Sequence, residues 1–192
     1  MISMQKNFFN AVEFSHLLLE ENTAAGDIVI DATAGNGYDT KFLANLVGDQ
    51  GKVYSFDIQK KAIKNTKELL EKDDLINRAE LILDSHANID KYINQKVSAV
   101  IFNLGYLPGG DKEIITRSKS TAAAVEESIK LLQENGLIIL VIYSGHQGGE
   151  EEKSAVLELT SALDYREYNV LNYKFINQPG PPPEIVAIKK RN

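Results

Sequence analysis

The chain predicts an α/β fold with a mostly parallel sheet and helices on both faces. Three observations carry this expectation. Short apolar runs alternate with amphipathic helical stretches along most of the 192 residues. Two runs, Val97–Phe102 and 137–143, are apolar almost throughout, as strands buried on both faces must be. Polar and glycine-rich segments follow the runs at one end, where ligands bind in such sheets.

The elements follow in order. Residues 7–21 place Phe8, Val12, Leu18 and Leu19 on one helical face, so the first 25 residues read as a helical segment packed on the rest. A strand spans 28–31, a helix 40–47 and a second strand 52–57. The helix 59–72 carries Ala62, Ile63, Leu69 and Leu70 inward. A third strand at 80–83 and a short helix near 88–93 precede the strand at 97. The helix 119–133 stops before Asn135-Gly136, a natural helix terminator. A strand over 137–143 and a helix over 151–163 come next. Strands near 166–176 and 184–189 form an antiparallel pair, because the Pro-rich linker between them holds no crossover helix. No internal repeat interrupts this order, and residues 1–192 are expected to form a single domain.

Composition narrows the function. Apolar residues make up 43% and charged residues 25%, the balance of a soluble globular protein. No apolar run approaches the about 18 residues of a membrane helix, and a signal-peptide pattern is missing, so the cytoplasm is the expected compartment. There is no cysteine, hence no disulfide, thiolate metal site or cysteine nucleophile. His16, His86 and His146 are not at metal-ligand spacing, and no metal is expected. The net charge of −6 excludes a protein that coats nucleic acid, but not one that binds RNA through a confined patch. Three clusters could serve: Lys60, Lys61, Lys64 and Lys67; Lys112, Arg117 and Lys119; and Lys189, Lys190 and Arg191. Each also reads as a solvated face or tail.

The segment from Ile28 to Thr40 carries most chemistry. An apolar strand runs into Asp31-Ala32-Thr33-Ala34-Gly35-Asn36-Gly37-Tyr38-Asp39, and a second strand ends on Asp57. Strand, glycine loop, helix, strand and terminal acid form a nucleoside-binding unit of the Rossmann kind. A carboxylate at Asp57 can accept hydrogen bonds from two ribose hydroxyls. The loop departs from the dinucleotide pattern, because Thr40 stands where a third small residue belongs. Asp31 and Asp39 would repel a pyrophosphate but suit a ligand bearing an ammonium and a sulfonium. S-adenosyl-L-methionine has both groups, an adenosine and no phosphate. Cofactor contacts are therefore expected at Thr33, Gly35, Asn36, Gly37, Asp39, Asp57 and Gln59.

Other strand ends add to the site. Asp84-Ser85-His86 could bond the adenine amino group and flank its ring, or cap a short helix. Asn103-Leu104-Gly105-Tyr106-Leu107-Pro108 lies where a methyl acceptor would approach. The Asn103 oxygen can hold an amine, and Tyr106 can stack on a base. His146 is a candidate proton acceptor, since imidazole titrates near neutral pH, whereas His16 reads as structural.

These segments resemble the small class I methyltransferases labelled rRNA methylases, whose characterised members are bacterial tRNA methyltransferases of the MnmM type. The matching stretches are Asp31 to Thr40, Phe56 to Gln59, Asp84 to His86, Asn103 to Lys112, Tyr143 to Gly149, Asn177-Gln178 and Pro182-Pro183. The resemblance implies a Rossmann-like, seven-stranded sheet with an antiparallel last strand. It also implies methylation of the amine of 5-aminomethyl-2-thiouridine at the tRNA wobble position, in the anticodon loop, by a homodimer. Alternatives are an rRNA base, another amine or amide, an NAD-linked oxidoreductase, and a binding module that holds the methyl donor without turnover.

Overall fold

The computed structural model describes residues 8–105, 107 and 115–192. Helix α1 spans Ala11–Asn22, followed by β1 Ile28–Asp31, α2 Tyr38–Val47, β2 Lys52–Phe56 and α3 Lys60–Lys72. Strand β3 is Ala79–Ile82 and β4 is Val97–Leu104. Helix α4 covers Ser118–Leu131, β5 Leu132–Ile142, α5 Gly149–Ser161, β6 Tyr168–Tyr173 and β7 Glu184–Lys190. The expected elements all occur, with ends displaced by a few residues.

The displacements have local causes. Helix α1 begins at Ala11 rather than near residue 7 because Asn10 caps it. The Asn10 side chain accepts the Glu13 N–H at 2.9 Å, and Glu13 Oε2 accepts the Asn10 N–H at 2.9 Å. The turn after β3 is a 3₁₀ helix over His86–Lys91, started by Ser85 accepting the Ala87 N–H at 3.2 Å. Helix α4 ends at Leu131, and the chain pairs Leu132 with Val97 before a register shift restores pairing at Leu137 with Ala99. Asn135, at φ 59°, takes the left-handed conformation within that irregularity.

The sheet order is β3-β2-β1-β4-β5-β7-β6. Strands β1 to β5 pair in parallel, and β7 runs antiparallel to both β5 and β6. The C-terminal pair is therefore antiparallel, as the linker composition implies.

Alternation along the strands separates two cores. Ile30, Val100, Phe102, Ile138 and Leu140 bury one face with Ala124 and Val125 of α4. Val29, Val53, Ala99, Ile101 and Ile139 bury the other with Leu19 of α1, Leu43 of α2 and Leu70 of α3. Burial of β4 on both faces explains its nearly continuous apolar run. From β1 the chain winds outward through β2 and β3, then returns to β4 on the other side. The carboxyl ends of β1 and β4 thus flank the point where strand order reverses, which is where such sheets open a crevice.

Candidate active site

A cavity of about 640 Å³ occupies that crevice. Its wall includes Thr33, Gly35 and Asn36 of the glycine loop, Asp57 and Gln59 after β2, Ser85 and His86 after β3, and Asn103 at the end of β4. Residues from distant stretches of sequence thus meet in one place. This volume suits a nucleoside-sized ligand.

The glycine loop divides into ligand-facing and structural parts. Gly35 lines the cavity, but Gly37 does not. Gly37 stands at φ 84°, immediately before α2, and a Cβ there would lie 2.8 Å from Thr66 Cα. The loop packs closely against α3 at this point, which excludes a side chain. Asp31 differs from the expectation in the same way. It is fully buried beneath the loop, outside the cavity wall. It accepts the Thr33 N–H at 3.1 Å and the Thr40 hydroxyl at 2.5 Å. Burial, with Asp39 nearby, raises its pKa from 3.8 to about 7. Of the two acids flanking the glycines, only Asp39 faces the crevice. Thr40, the residue that breaks the dinucleotide pattern, is itself the buried partner of Asp31 and of Ser55 at 2.8 Å.

Asp57 is placed as a ribose acceptor requires. Its Oδ2 accepts the Gly35 N–H at 3.0 Å and its Oδ1 accepts the Gln59 N–H at 2.8 Å. Each oxygen keeps a lone pair for a further donor. Burial raises its pKa, while the backbone N–H groups of Gln59 and Gly35 oppose the rise. Beside it, Asp84 accepts hydrogen bonds from Asn88, Ser85 and Tyr92, which hold its carboxyl below the ordinary range. Ser85 both caps the 3₁₀ turn and lines the cavity. His86 is buried, with Nδ1 3.1 Å from the Ala32 carbonyl oxygen. That carbonyl can only accept, so Nδ1 carries the proton. Nε2 is left as a buried acceptor with no partner among the described residues. Burial lowers the His86 pKa and keeps the ring neutral. An unpaired acceptor at the cavity wall is a place for a ligand donor.

The end of β4 forms a second polar cluster. The Asn103 N–H donates to Thr33 Oγ1 at 2.7 Å, and its side-chain Nδ2 donates to Asp39 Oδ2 at 2.5 Å. A carboxylate can only accept here, which fixes the amide orientation. On the other Asp39 oxygen sits His16 Nε2, 2.5 Å from Oδ1. His16 also stacks on Phe42, with ring centroids 4.0 Å apart and planes 8° from parallel. Tyr143 lines the same end of the cavity, and burial raises its pKa. Gly105 is tied down by Thr116, whose N–H donates to the Gly105 carbonyl at 3.0 Å. Thr116 Oγ1 accepts the Gly105 N–H at 2.9 Å and donates to the buried Glu152 at 2.7 Å.

Not every expected site residue is found in the described cavity wall. His146 is not part of the cavity wall formed by the described residues. It sits beside Gly105, and its Nδ1 lies 3.0 Å from the Gln147 carbonyl oxygen, so that nitrogen donates to backbone. Tyr106 and Lys112 fall outside the described residues. Conversely, His16, read from sequence as structural, lines the cavity together with Val12 one turn earlier. Nothing within α1 alone distinguishes such a histidine from a packed one; the signal is Asp39 and Phe42 spaced three apart on α2, one face able to bond and stack a ring.

The basic clusters also separate. Lys64 and Lys67 pair with Glu68 and Glu71, each at 3.6 Å. Lys189 bonds Asn22 and the Asn135 carbonyl, Lys190 the Leu132 carbonyl at 3.2 Å, and Arg191 the Tyr165 carbonyl at 3.0 Å. Arg117 and Lys119 are exposed and alternate with Thr116 and Ser120, both of which line the cavity. They therefore stand at its rim.

Comparison with known proteins agrees with this geometry. Residues 53–189 match the family described as "Putative rRNA methylase". A chloroplastic tRNA (mnm(5)s(2)U34)-methyltransferase of Arabidopsis thaliana is 38% identical over 95% of this chain and 70% of its own length. A structure from Clostridium thermocellum described as a putative rRNA-methylase superposes with a TM-score of 0.94 at 47% identity, covering 96% of this chain and 99% of that one. A methyltransferase structure from Streptococcus mutans, solved in complex with S-adenosylhomocysteine (SAH), gives 0.89 at 38% identity over 96% and 99%. With a nucleoside-sized crevice, an acid bonded to the glycine loop and no phosphate-type third glycine, the chain belongs to this rRNA-methylase family and is an S-adenosylmethionine-dependent methyltransferase.

Proposed function

We propose that the protein methylates the exocyclic amine of 5-aminomethyl-2-thiouridine at the wobble position of tRNA. The name of the Arabidopsis relative, which aligns along 95% of the chain, supports this substrate. The observation that carries the reading is the pinned Asn103 amide. Its nitrogen is committed to Asp39, so its oxygen is the atom left to accept an N–H from the substrate. An acceptor in that position selects an amine and turns the nitrogen lone pair toward the donor.

S-adenosylmethionine supplies an electrophilic methyl group when bound. Asp57 would hold the ribose, Gln59 and Ser85 would border the adenosine, and His86 Nε2 would take an adenine amino hydrogen. Thr33, Gly35, Asn36 and Asp39 would surround the methionine end. The fit rests on the orphaned His86 nitrogen and on the spare lone pairs of Asp57. Tyr143 closes the acceptor end, and Tyr106 is proposed to stack on the base. A wobble nucleotide is unpaired, so little energy is needed to turn it into the crevice. The anticodon stem-loop would meet the rim through Arg117 and Lys119. A homodimer in the cytoplasm is the assembly and setting we propose. Among the described residues no helix is long and apolar enough to cross a membrane.

The deciding experiment is methylation in vitro of tRNA bearing the aminomethyl nucleoside, followed by nucleoside mass spectrometry. The expected product is 5-methylaminomethyl-2-thiouridine. Methylation of rRNA with unmodified tRNA product would overturn the substrate.

A further inference from the structure

The acceptor amine is largely protonated near neutral pH, and an ammonium has no lone pair with which to attack. Some group must take one proton before transfer. Three residues near the acceptor end could be considered, and chemistry and position separate them. The Asn103 amide is not basic. His146 lies outside the cavity wall of the described residues. His16 lines the cavity and is arranged differently.

His16 Nε2 lies 2.5 Å from Asp39 Oδ1. The carboxylate accepts, so Nε2 bears the hydrogen, and the neutral ring carries its lone pair on Nδ1. Nδ1 makes no hydrogen bond with the described residues. Stacking on Phe42 fixes the plane of the ring, and Asp39 fixes its rotation. An imidazole held by a carboxylate through one nitrogen, with the other nitrogen available, is built to accept a proton and to be stabilised as imidazolium.

The charges around α1 agree. On α2, Lys41 is paired with Asp73 at 2.5 Å. On β7, Glu184 is paired with Lys153 at 2.6 Å, Lys189 is bonded to Asn22 and Asn135, and Lys190 to the Leu132 carbonyl. On β5, Glu134 is exposed in the opening stretch of the strand, and Tyr143 follows at its carboxyl end. Strand β4 carries no ionisable side chain. On α1 itself, Glu13 is bound to the Asn10 N–H, and Glu20 is exposed one turn beyond His16. Asp39 is therefore the acid that touches the ring, with Asp31 close enough to interact with Asp39.

We propose that His16 is the proton acceptor for the substrate amine, with Asp39 joining it to the Asn103 amide that positions the same amine. The inference rests on the amine-acceptor reading given above. Nδ1 takes one proton from the R–CH2–NH3⁺ group, leaving R–CH2–NH2 and a His16 imidazolium paired with Asp39. The freed nitrogen pair forms the new N–C bond to the methyl carbon. The S–C bond breaks, and its electrons stay on sulfur to give SAH and a secondary ammonium. The imidazolium then returns its proton to solvent.

Two measurements test this. Protein labelled with ¹⁵N-histidine has only three histidines to assign. In NMR of the free enzyme, neutral His16 should show hydrogen on Nε2 and an unprotonated Nδ1; the opposite tautomer would overturn the proposal. Single-turnover methylation of an aminomethyl-bearing anticodon stem-loop should then be followed against pH. His16→Gln keeps a donor toward Asp39 but has no basic lone pair, and should slow transfer about a hundredfold near pH 7. The deficit should shrink toward about pH 9, where more of the amine is already neutral. His16→Phe should be at least as slow, and SAH affinity by calorimetry should be unchanged in His16→Gln. A wild-type rate in His16→Gln would overturn the inference while leaving the substrate reading intact. So would a loss of SAH affinity as large as the loss of rate, which would place His16 at the methionine end. A wild-type enzyme inactive on this stem-loop would overturn both.

Discussion

The Gly35 N–H donates to Asp57 Oδ2 at 3.0 Å, so the glycine loop and the acid after β2 form one hydrogen-bonded unit. The same carboxylate is bonded to Gln59 on its other oxygen. The shape of the loop and the proposed ribose contact thus meet on a single side chain.

Asp57→Ala should accordingly weaken SAH binding by more than the loss of one contact. Each charge-assisted hydrogen bond is worth roughly 1.5–3 kcal/mol, and the mutant also leaves the Gly35 N–H unpaired. Calorimetry should show at least about a hundredfold loss if both hydroxyl contacts are removed. NAD should bind far more weakly than SAH to the wild-type protein.

Gly37→Ala should destabilise the fold more than Gly35→Ala. Both glycines have positive φ, 84° and 55°. Only at position 37 would the added Cβ press on backbone, 2.8 Å from Thr66 Cα; at position 35 its nearest neighbours lie at 3.7 and 3.8 Å. Left-handed strain costs about 1–2 kcal/mol at either site, and overpacking adds roughly 1–3 kcal/mol at Gly37. Thermal denaturation of the two variants measures the difference.

Asp31 gives stability a pH dependence. In the unfolded chain it ionises near 3.8, whereas in the fold it keeps its proton to about 7. Between these values the folded state binds the extra proton. Its contribution is therefore full below the lower value and is lost as pH rises through the upper one. The displacement corresponds to roughly 4 kcal/mol at most. Asp31→Asn should flatten the decline in chemical-denaturation stability across that window and gain on wild type above about pH 7. An unchanged slope would show that Asp31 is ionised in the folded protein.

Arg117 and Lys119 should matter to RNA but not to the methyl donor. They are exposed at the cavity rim, while the Lys64, Lys67 and C-terminal cations are engaged within the protein. Replacing both with Ala should weaken stem-loop binding and leave SAH affinity intact. The log–log salt slope should be shallow in wild type and fall by about 0.7 for each phosphate contact removed from single-stranded RNA. Loss of SAH binding as well would point to a folding defect.

Much of this arrangement was legible in the chain. The step from Ile28–Asp31 into the glycines, with Asp57 following the next strand, located the crevice. The burial of β4 from Val97 to Phe102 was written in its apolar run. What escaped was of another kind. Asp31 and Asp39 look equivalent in sequence, but strand geometry buries the first under the loop and leaves the second in the crevice. Gly37 looks like a ligand glycine until α3 packs over it. The His16–Asp39 bond joins residues 23 apart through the packing of α1 on α2, which helical periodicity alone does not specify. Periodicity reports which face of a helix is apolar, not which side chain of another helix it meets.

The sheet order also bears on synthesis. Strand β7 lies between β5 and β6 and is the neighbour that joins β6 to the sheet. Until residues 184–190 leave the ribosome, β6 has no strand to pair with and β5 presents an open edge. Each nascent copy therefore passes through an interval in which an apolar edge of the almost finished sheet is uncovered. In that interval chaperone capture competes with edge-to-edge aggregation, so expression yield should depend on the integrity of β7 more steeply than its seven residues would imply.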